Sequence, residues 1–166
     1  DFPQLPPVLE TGTAFRENAR LKAVSAATKT GLVSLADDSG LVVDYLGGLP
    51  GVYSARFAGE KADDQKNIEK LLKLLDGVPE CQRKARFCCT IAVAEPTGQV
   101  TYCEGVCEGQ ILTEARGTNG FGYDPVFFLP EFGKTMAELT MAEKNSVSHR
   151  GKAFKAVLPI LEKILS

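Results

Sequence analysis

Two adjacent carboxylates, Asp37 and Asp38, are the residues of this chain whose types and spacing best suit chemistry. They follow an apolar run at 31–35 that predicts a buried strand, and a second apolar run comes shortly after them. A carboxylate at the end of a buried strand is costly unless a metal ion, a basic side chain or backbone N–H groups compensate its charge. Because side chains alternate along an extended chain, we expect the two to point in roughly opposite directions, one held by the scaffold and the other facing a cleft. Open α/β sheets bind their ligands in clefts at the carboxyl ends of strands.

An ordinary turn is the alternative interpretation of the segment 36–40. Asp and Ser side chains bond to the local backbone, and the Gly40 that follows them accepts a positive φ. The segment alone leaves both interpretations equally open, and two clusters later in the chain shift the balance toward a site.

A glycine-rich loop at 116–125 forms the second cluster. Three of its glycines, Gly117, Gly120 and Gly122, fall within about six residues, so that backbone N–H groups can approach a ligand closely. Phe121 is flanked by two of them and can lie flat against a planar ring. A surface loop with a buried aromatic anchor is the alternative, because glycine-rich loops are common.

Hydrogen-bond donors are concentrated at 143–151, before the expected last helix, and form the third cluster. His149 and Arg150 can bind phosphate or the oxygen-bearing edge of a base. Basic residues in a first helical turn oppose the helix dipole, which favours an anionic or electron-rich partner. The alternative is a helix start capped by Ser148 and flanked by solvated basic residues.

A helix predicted over 13–29 would place Lys22 on its apolar face. Thr13 can cap this helix, Gly31 can end it, and Asn18 is the i, i+4 partner of Lys22. The lysine either extends along the surface to solvent or reaches into the same cleft as the paired carboxylates.

Glu10, in the loop before this helix, gains significance if it lies near Asp38; a merely solvated carboxylate is the alternative. Two carboxylate oxygens suit Mg²⁺, which prefers hard oxygen ligands completed by water and phosphate. Carboxylates for a hard cation, a helix lysine, a glycine–aromatic loop and a donor-rich turn together predict the binding of a nucleoside polyphosphate with Mg²⁺.

Several other function classes lack their sequence features. The chain has no Gly-x-x-x-x-Gly-Lys-Ser/Thr, which excludes a P-loop protein, and with one histidine and no Gly-x-Ser-x-Gly it gives poor support for a serine-hydrolase triad. A formal net charge of −2 gives no sign of a nucleic-acid or membrane-surface protein, and no apolar run approaches the ~18–20 residues that span a bilayer. The five cysteines form no Cys-x-x-Cys, which argues against structural zinc and predicts reduced thiols in a cytosol-like compartment.

With 166 residues the chain is long enough for one domain with a sizeable core, expected over 1–166. The further predicted elements are a helix at 62–76, strands at 85–95 and 99–108 joined as a hairpin, a short strand at 126–128, and a helix at 152–165 kinked or split by Pro159. This mixture predicts an α/β or α+β fold with a mixed sheet. The proline-rich start at 1–7 predicts an extended connection and removed upstream residues.

Taken in order, the motifs of the chain resemble those of the inosine/xanthosine triphosphate pyrophosphatase family. They are Glu10-Thr11-Gly12, Glu17-Asn18-Ala19 with Lys22-Ala23, Ala36-Asp37-Asp38-Ser39-Gly40-Leu41, Pro50-Gly51-Val52-Tyr53-Ser54-Ala55-Arg56, Gly120-Phe121-Gly122-Tyr123-Asp124-Pro125 and Ser148-His149-Arg150-Gly151. The match runs over nearly the whole chain, and the ordered set is highly specific.

The resemblance implies Mg²⁺-dependent hydrolysis of ITP, dITP and XTP to the monophosphate and pyrophosphate. It implies an elongated, two-lobed α/β fold with a mixed β-sheet flanked by helices, a cleft between the lobes, and a homodimer. By motif, Asp38 resembles the general base and a metal ligand, Glu10 the second metal ligand, and Lys22 the phosphate-holding lysine. The other substrate-binding residues that it implies are Asn18, Ser39, Phe121, Gly122, Tyr123, Asp124, Lys144, His149 and Arg150.

Base recognition would fall to Lys144, His149 and Arg150. Their hydrogen-bond donors would bind a 6-oxo group, which the 6-amino group of adenine cannot replace as an acceptor. The family normally begins with a strand running into a Thr-x-Asn-x-x-Lys phosphate loop, a motif that these residues lack, so the chain is expected to begin just after it. Two rival functions stay open: a nucleotide-binding protein without turnover, and a house-cleaning hydrolase of other modified nucleotides.

Overall fold

The computed structural model describes residues 5–166 of the chain. The predicted extended connection at 1–7 lies partly outside the described residues. The helices and strands are α1 (Phe15–Thr30), β1 (Ser34–Val43), α2 (Asp64–Leu74), β2 (Lys84–Ala94), β3 (Val100–Ile111), β4 (Phe127–Leu129), β5 (Lys134–Thr135), α3 (Met141–Val147) and α4 (His149–Leu165). Within the described residues, no helix is both long and apolar enough to cross a membrane.

The strands form one five-stranded sheet in the order β1-β2-β3-β4-β5. The predicted α/β class, with a sheet flanked by helices, is confirmed. The sheet differs from the expected mixed one, since the four strand pairs described are all antiparallel. Each strand pairs with its neighbour in sequence, and antiparallel pairing needs only a hairpin or loop for this, whereas parallel pairing needs a crossover.

β1 is a single strand through the acidic pair, so the strand predicted to end at that pair and the turn considered for 36–40 are both wrong. Its pairing with β2 is unbroken, with Asp38 opposite Thr90. Gly40 does not adopt a positive φ. A Cβ there would lie 2.5 Å from both the Gly51 carbonyl oxygen and Ser54 Oγ. The glycine therefore permits a close approach of the chain at 51–54 to the strand rather than a change of direction.

The predicted β2–β3 hairpin is confirmed, and helices cover both of its faces. Alternate β2 residues point to opposite sides, as a pleated strand requires. Ala92 and Ala94 pack against the alanine face of α1, whereas Ile91 and Val93 pack in a cluster with Ala153 and Val157 of α4.

A separate and larger core lies at the other end of the hairpin. There α2 contributes Ile68, Leu71 and Leu75, which pack in one cluster with Phe87 and Phe127. The stripe predicted for this helix is thus buried, and Asp63 caps its start by accepting from the Lys66 N–H at 2.9 Å.

All three predicted helices are confirmed with shifted ends, α2 spanning 64–74 instead of 62–76. α1 begins at Phe15, and the predicted cap Thr13 instead donates its N–H to Glu17 Oε2 at 2.7 Å; Gly31 ends the helix in a left-handed conformation, as predicted. α4 begins three residues early, at His149, because Ser148 Oγ accepts the Gly151 N–H.

Two further predictions concern Pro159 and the cysteines. α4 continues through Pro159, so the predicted split is wrong. All five cysteines are free thiols, as expected.

Candidate active site

α1 and the loop before it bring an ammonium group and two carboxylates into direct contact. Lys22 Nζ lies 2.9 Å from Glu10 Oε1 and 3.0 Å from Asp38 Oδ1. The helix presents Asn18 one turn earlier on the same face, and its Nδ2 donates to Asp38 Oδ2 at 3.2 Å. We call these four residues, Glu10, Asn18, Lys22 and Asp38, the carboxylate–lysine cluster. Lys22 thus reaches the carboxylates rather than solvent.

Asn18 is itself held in place, because its Oδ1 accepts the Gly12 N–H at 2.8 Å. The side chain is completely buried. With the amide oxygen committed to the backbone, its NH₂ must face the carboxylate. Both oxygens of Asp38 therefore have a fixed donor.

Burial and the contacts among the charged groups oppose each other in setting the pKa values of this cluster. Burial raises the pKa of Asp38 above its usual value, although the contacts with Lys22 and Asn18 favour the ionised form. Burial also disfavours the charged form of Lys22, but hydrogen bonds to the two carboxylates outweigh it and raise the pKa of the lysine. The arrangement keeps a cation beside a carboxylate that is more basic than an exposed aspartate.

Asp37 faces the opposite side of β1, as the alternation of side chains predicted. Its Oδ2 accepts from Arg150 Nε at 3.1 Å and from Ser39 Oγ at 3.2 Å. The Cys89 thiol is the third group at this oxygen, 3.8 Å away. Asp37 thereby ties the first turn of α4 to the strand that carries Asp38.

A cavity of about 360 Å³ opens beside β1 on the α4 side; we call it the α4-side cavity. Phe121 stands at it with 60% of its surface exposed. Lys144 Nζ lies 4.8 Å from the centre of the Phe121 ring and the Arg150 guanidinium 5.6 Å from it. An exposed aromatic ring with two cations close by is suited to binding a planar, electron-rich group. The sequence-predicted residues that line the cavity are Ser39, Phe121, Gly122, Tyr123, Asp124, Lys144, His149 and Arg150.

The glycine-rich loop contains a buried anchor as well as an exposed aromatic, so both interpretations of it hold for different residues. Tyr123 is the anchor: it is buried, and its hydroxyl donates to the Ser54 carbonyl at 2.8 Å. Asp124 is also buried and contacts Lys144 Nζ. The same Asp124 oxygen accepts the Phe121 N–H at 2.9 Å, which links the exposed ring to the lysine beside it.

His149 lies flat against Phe87, with ring centres 4.8 Å apart and planes 16° from parallel. Burial, followed by the charges of Arg150 and Lys144, lowers the pKa of His149 to about 4. Its Nδ1 is buried and has no hydrogen-bond partner within residues 5–166. The imidazole is therefore neutral near pH 7, and its buried Nδ1 is left unpaired.

The predicted site residues thus form two groups on opposite sides of β1, joined through the adjacent residues Asp38 and Ser39. Sequence reasoning missed Asp64, whose Oδ2 accepts the Gly122 N–H at 2.6 Å. Nothing in the sequence distinguishes Asp64, because two aspartates at a helix start are explained by capping. The sequence also suggested no role for Arg56, whose Nη1 lies 3.8 Å from Glu10 Oε2. Further lining residues that it missed are Phe87, Met141 and Asn145.

Comparison with known proteins identifies close relatives over nearly the whole chain. A sequence model of the Ham1 family matches residues 1–160. A dITP/XTP pyrophosphatase from Desulforamulus reducens is 57% identical over 164 residues, which are 99% of this chain and 82% of that protein.

Solved structures of similar proteins share the fold. A HAM1 protein from Coxiella burnetii superposes with a TM-score of 0.91 at 46% identity, covering 96% of this chain and 82% of that one. A nucleoside-triphosphatase, also described as a dITP/XTP pyrophosphatase, from Mycobacterium abscessus gives a TM-score of 0.82 at 45% identity, covering 96% and 81% of the two chains.

Proposed function

This chain belongs to the Ham1 family, and from that premise we propose that it hydrolyses ITP, dITP and XTP to the nucleoside monophosphate and pyrophosphate. It is a hydrolase of phosphoric anhydride bonds that removes non-standard purine nucleotides from the pool. The observation in the site that carries the proposal is the exposed Phe121 ring with two cations close by, together with a carboxylate–lysine cluster that includes Asp38 of β1.

We assign base binding to the α4-side cavity. The purine stacks on Phe121, and the two cations beside that ring face the electron-rich edge of the base. A volume of about 360 Å³ lies within the range of small-molecule sites. Ser39 and the loop at 120–124 complete the walls around the nucleoside.

Base selection follows from the hydrogen-bonding character of the groups at the cavity. The Arg150 guanidinium and the Lys144 ammonium can only donate. Hypoxanthine and xanthine present a 6-oxo acceptor to such donors. The 6-amino group of adenine is itself a donor and cannot accept a hydrogen bond from them. A site built to hydrogen-bond one group discriminates strongly against an analogue that leaves its polar groups unpaired.

A divalent cation suits the two carboxylates of the cluster, and we propose Mg²⁺ held by Glu10 and Asp38. Both are hard oxygen donors that already converge on one ammonium group, and Mg²⁺ is commonly bound by one or two carboxylates together with substrate phosphates. When bound, the cation would neutralise phosphate charge and polarise the phosphorus being attacked.

The chain's own groups then supply general-base and electrostatic catalysis. Asp38 accepts the proton of the attacking water as the general base. Lys22 binds phosphate oxygens and stabilises the charge that develops on them. Asn18 holds the Asp38 carboxylate in one orientation through its hydrogen bond to Oδ2.

We further propose that the protein is a homodimer of the cytoplasm that acts on free nucleotides rather than on nucleic acid. The family resemblance supports the homodimer, and the cysteine pattern and net charge support the other two properties. Light scattering coupled to size-exclusion chromatography tests the first, since a monomeric mass at micromolar concentration would contradict it.

Pyrophosphate release from ITP, dITP, XTP, ATP and GTP, with and without Mg²⁺, tests the proposed function. We expect Mg²⁺-dependent release from the first three and little from ATP, because the 6-amino group of adenine cannot accept from the donors at the cavity. Little release from GTP is expected from the family resemblance alone, since guanine has the same 6-oxo group as hypoxanthine. ITP binding without release would instead support a nucleotide-binding protein, and release from other modified nucleotides alone would support the second rival. Rates equal for ITP and ATP would contradict the proposed base selection.

A further inference from the structure

We infer that Asp64, in the first turn of α2, is a positioning residue that holds the backbone under Phe121 and so sets the affinity of the α4-side cavity for purines. The inference rests on the proposed function. The carboxylate acts through the loop, because its contact there is with backbone and not with the Phe121 ring.

The Phe121 ring depends on its backbone for its position. With 60% of its surface exposed, it lacks the packing that fixes a buried aromatic. The glycines on both sides have positive φ, 82° at Gly120 and 60° at Gly122, and glycine is the residue with the greatest conformational freedom. A loop of this composition presents its aromatic in one place only if hydrogen bonds hold the main chain.

Two carboxylates accept hydrogen bonds from the main chain at Phe121 and Gly122, one from within the loop and one from α2. The Phe121 N–H bonds to Asp124, which belongs to the same loop. The next N–H, that of Gly122, donates to Asp64 Oδ2 at 2.6 Å across a separation of 58 residues. A hydrogen bond to an ionised acceptor is about twice as strong as one between neutral groups. Asp64 therefore fixes the loop relative to the lobe that contains α2.

This arrangement predicts a particular kinetic signature. Stacking on Phe121 is present in the bound substrate and in the transition state alike, because the base is remote from the phosphates that react. Loss of an interaction that is uniform between the two states raises KM and leaves kcat unchanged. A residue that merely stabilised α2 would not divide its effect in this way.

The neighbouring Asp63 provides a matched control. It is one residue away, also carries a carboxylate, and caps the same helix through the Lys66 N–H, with no hydrogen bond to the loop described. Asp63→Ala removes a helix cap, whereas Asp64→Ala removes the contact with Gly122. Asp64→Asn keeps an oxygen that can accept the same N–H and serves as the conservative variant.

The experiment measures kcat and KM for ITP in wild type and in the three variants, with thermal unfolding of each. We expect Asp64→Ala to raise KM about tenfold at unchanged kcat, Asp64→Asn to restore KM to within about threefold, and Asp63→Ala to lower stability without changing KM. An unchanged KM in Asp64→Ala overturns the inference. So does an equal rise in Asp63→Ala, which would assign the effect to α2 as a whole.

Titration calorimetry of IMP binding without Mg²⁺ distinguishes a failure of this inference from a failure of the proposed function. IMP binding that weakens about tenfold in Asp64→Ala supports the positioning role even if wild type releases no pyrophosphate. IMP binding of equal strength in both proteins overturns the inference even if wild type hydrolyses ITP as proposed.

Discussion

Asp38 is a carboxylate whose two oxygens already have protein donors, yet it is the residue assigned to take a proton from water. Lys22 and Asn18 bind one oxygen each. Because burial raises its pKa in spite of these contacts, the folded state keeps Asp38 more basic than an exposed aspartate. A test of this role should therefore remove the charge and basicity of the Asp38 side chain and keep its volume.

Asp38→Asn is expected to lower kcat for ITP about 10²- to 10⁴-fold, the usual contribution of a general base. The side chain keeps its size but loses one of its two acceptors, because its NH₂ must face the donor of Lys22 or of Asn18. The thermal midpoint should therefore fall somewhat while the cooperative unfolding of the folded protein persists. Asp44→Asn is the matched control, since Asp44 lies just beyond the same strand and pairs with Arg86 on the surface. Wild-type turnover in Asp38→Asn would exclude the assigned base.

His149 makes a separate prediction about pH, because its pKa in the folded state is about 4 against a usual value near 6.5. Between these two values the unfolded chain binds a proton that the folded chain does not, so stability falls as the pH falls from 6.5 to 4. The full effect is on the order of 3 kcal/mol.

Urea unfolding of wild type and of His149→Gln between pH 4 and 7.5 measures this contribution. The wild type should lose stability on acidification more steeply than the variant, and the two curves should run parallel above pH 7. Parallel curves throughout the range would show that His149 titrates normally in the folded protein.

At the scale of elements, β1 is the strand on which the rest of the site depends. It presents Asp38 to α1 and Asp37 to α4. Alternation of side chains, a property of any extended chain, predicted these opposite directions correctly. The turn-forming composition of 36–40 nevertheless left a turn open, because sequence alone does not show that Gly40 serves a close approach of another segment.

Gly40→Ala is expected to destabilise the protein by about 1–3 kcal/mol, the usual cost of overpacking. Its Cβ would lie 2.5 Å from the Gly51 carbonyl oxygen, and backbone has to move to admit it. Ser34→Ala, at the start of the same strand, adds no atoms and should change stability by less than about 0.5 kcal/mol. Equal denaturant midpoints for Gly40→Ala and wild type would show that the chain at 51–54 does not press on the strand.

At the scale of the molecule, the parts that sequence reasoning found are those with local signatures. Helical periodicity located α2, the turn residues between β2 and β3 gave the hairpin, and the ordered motifs gave the residues of both groups in the site. Contacts between distant segments lack such signatures. Asp64 contacts a loop residue that is 58 positions away in the sequence. The antiparallel arrangement of the sheet likewise depends on which whole strands pair with each other.

The two groups of the site lie on opposite faces of β1, the first strand in the described sheet order. A nucleotide with its base on Phe121 and its phosphates at Lys22 therefore has to pass β1. We expect a monophosphate to occupy the α4-side cavity alone and a triphosphate to reach the carboxylate–lysine cluster as well.

Hydrogen exchange on Asp38→Asn, which should bind ITP without consuming it, tests this geometry. IMP is expected to slow exchange in 116–124 and at the junction of α3 with α4, and ITP with Mg²⁺ to slow it also in 9–13 and the first turn of α1. Ligand at about 100 times its Kd stabilises the bound state by about 2.7 kcal/mol, which sets the upper limit of protection. The turn at 95–99, remote from both groups, is the internal control. Identical protection by IMP and ITP would mean that the phosphates do not reach the carboxylate–lysine cluster, and the division of the site between the two faces of β1 would then be wrong.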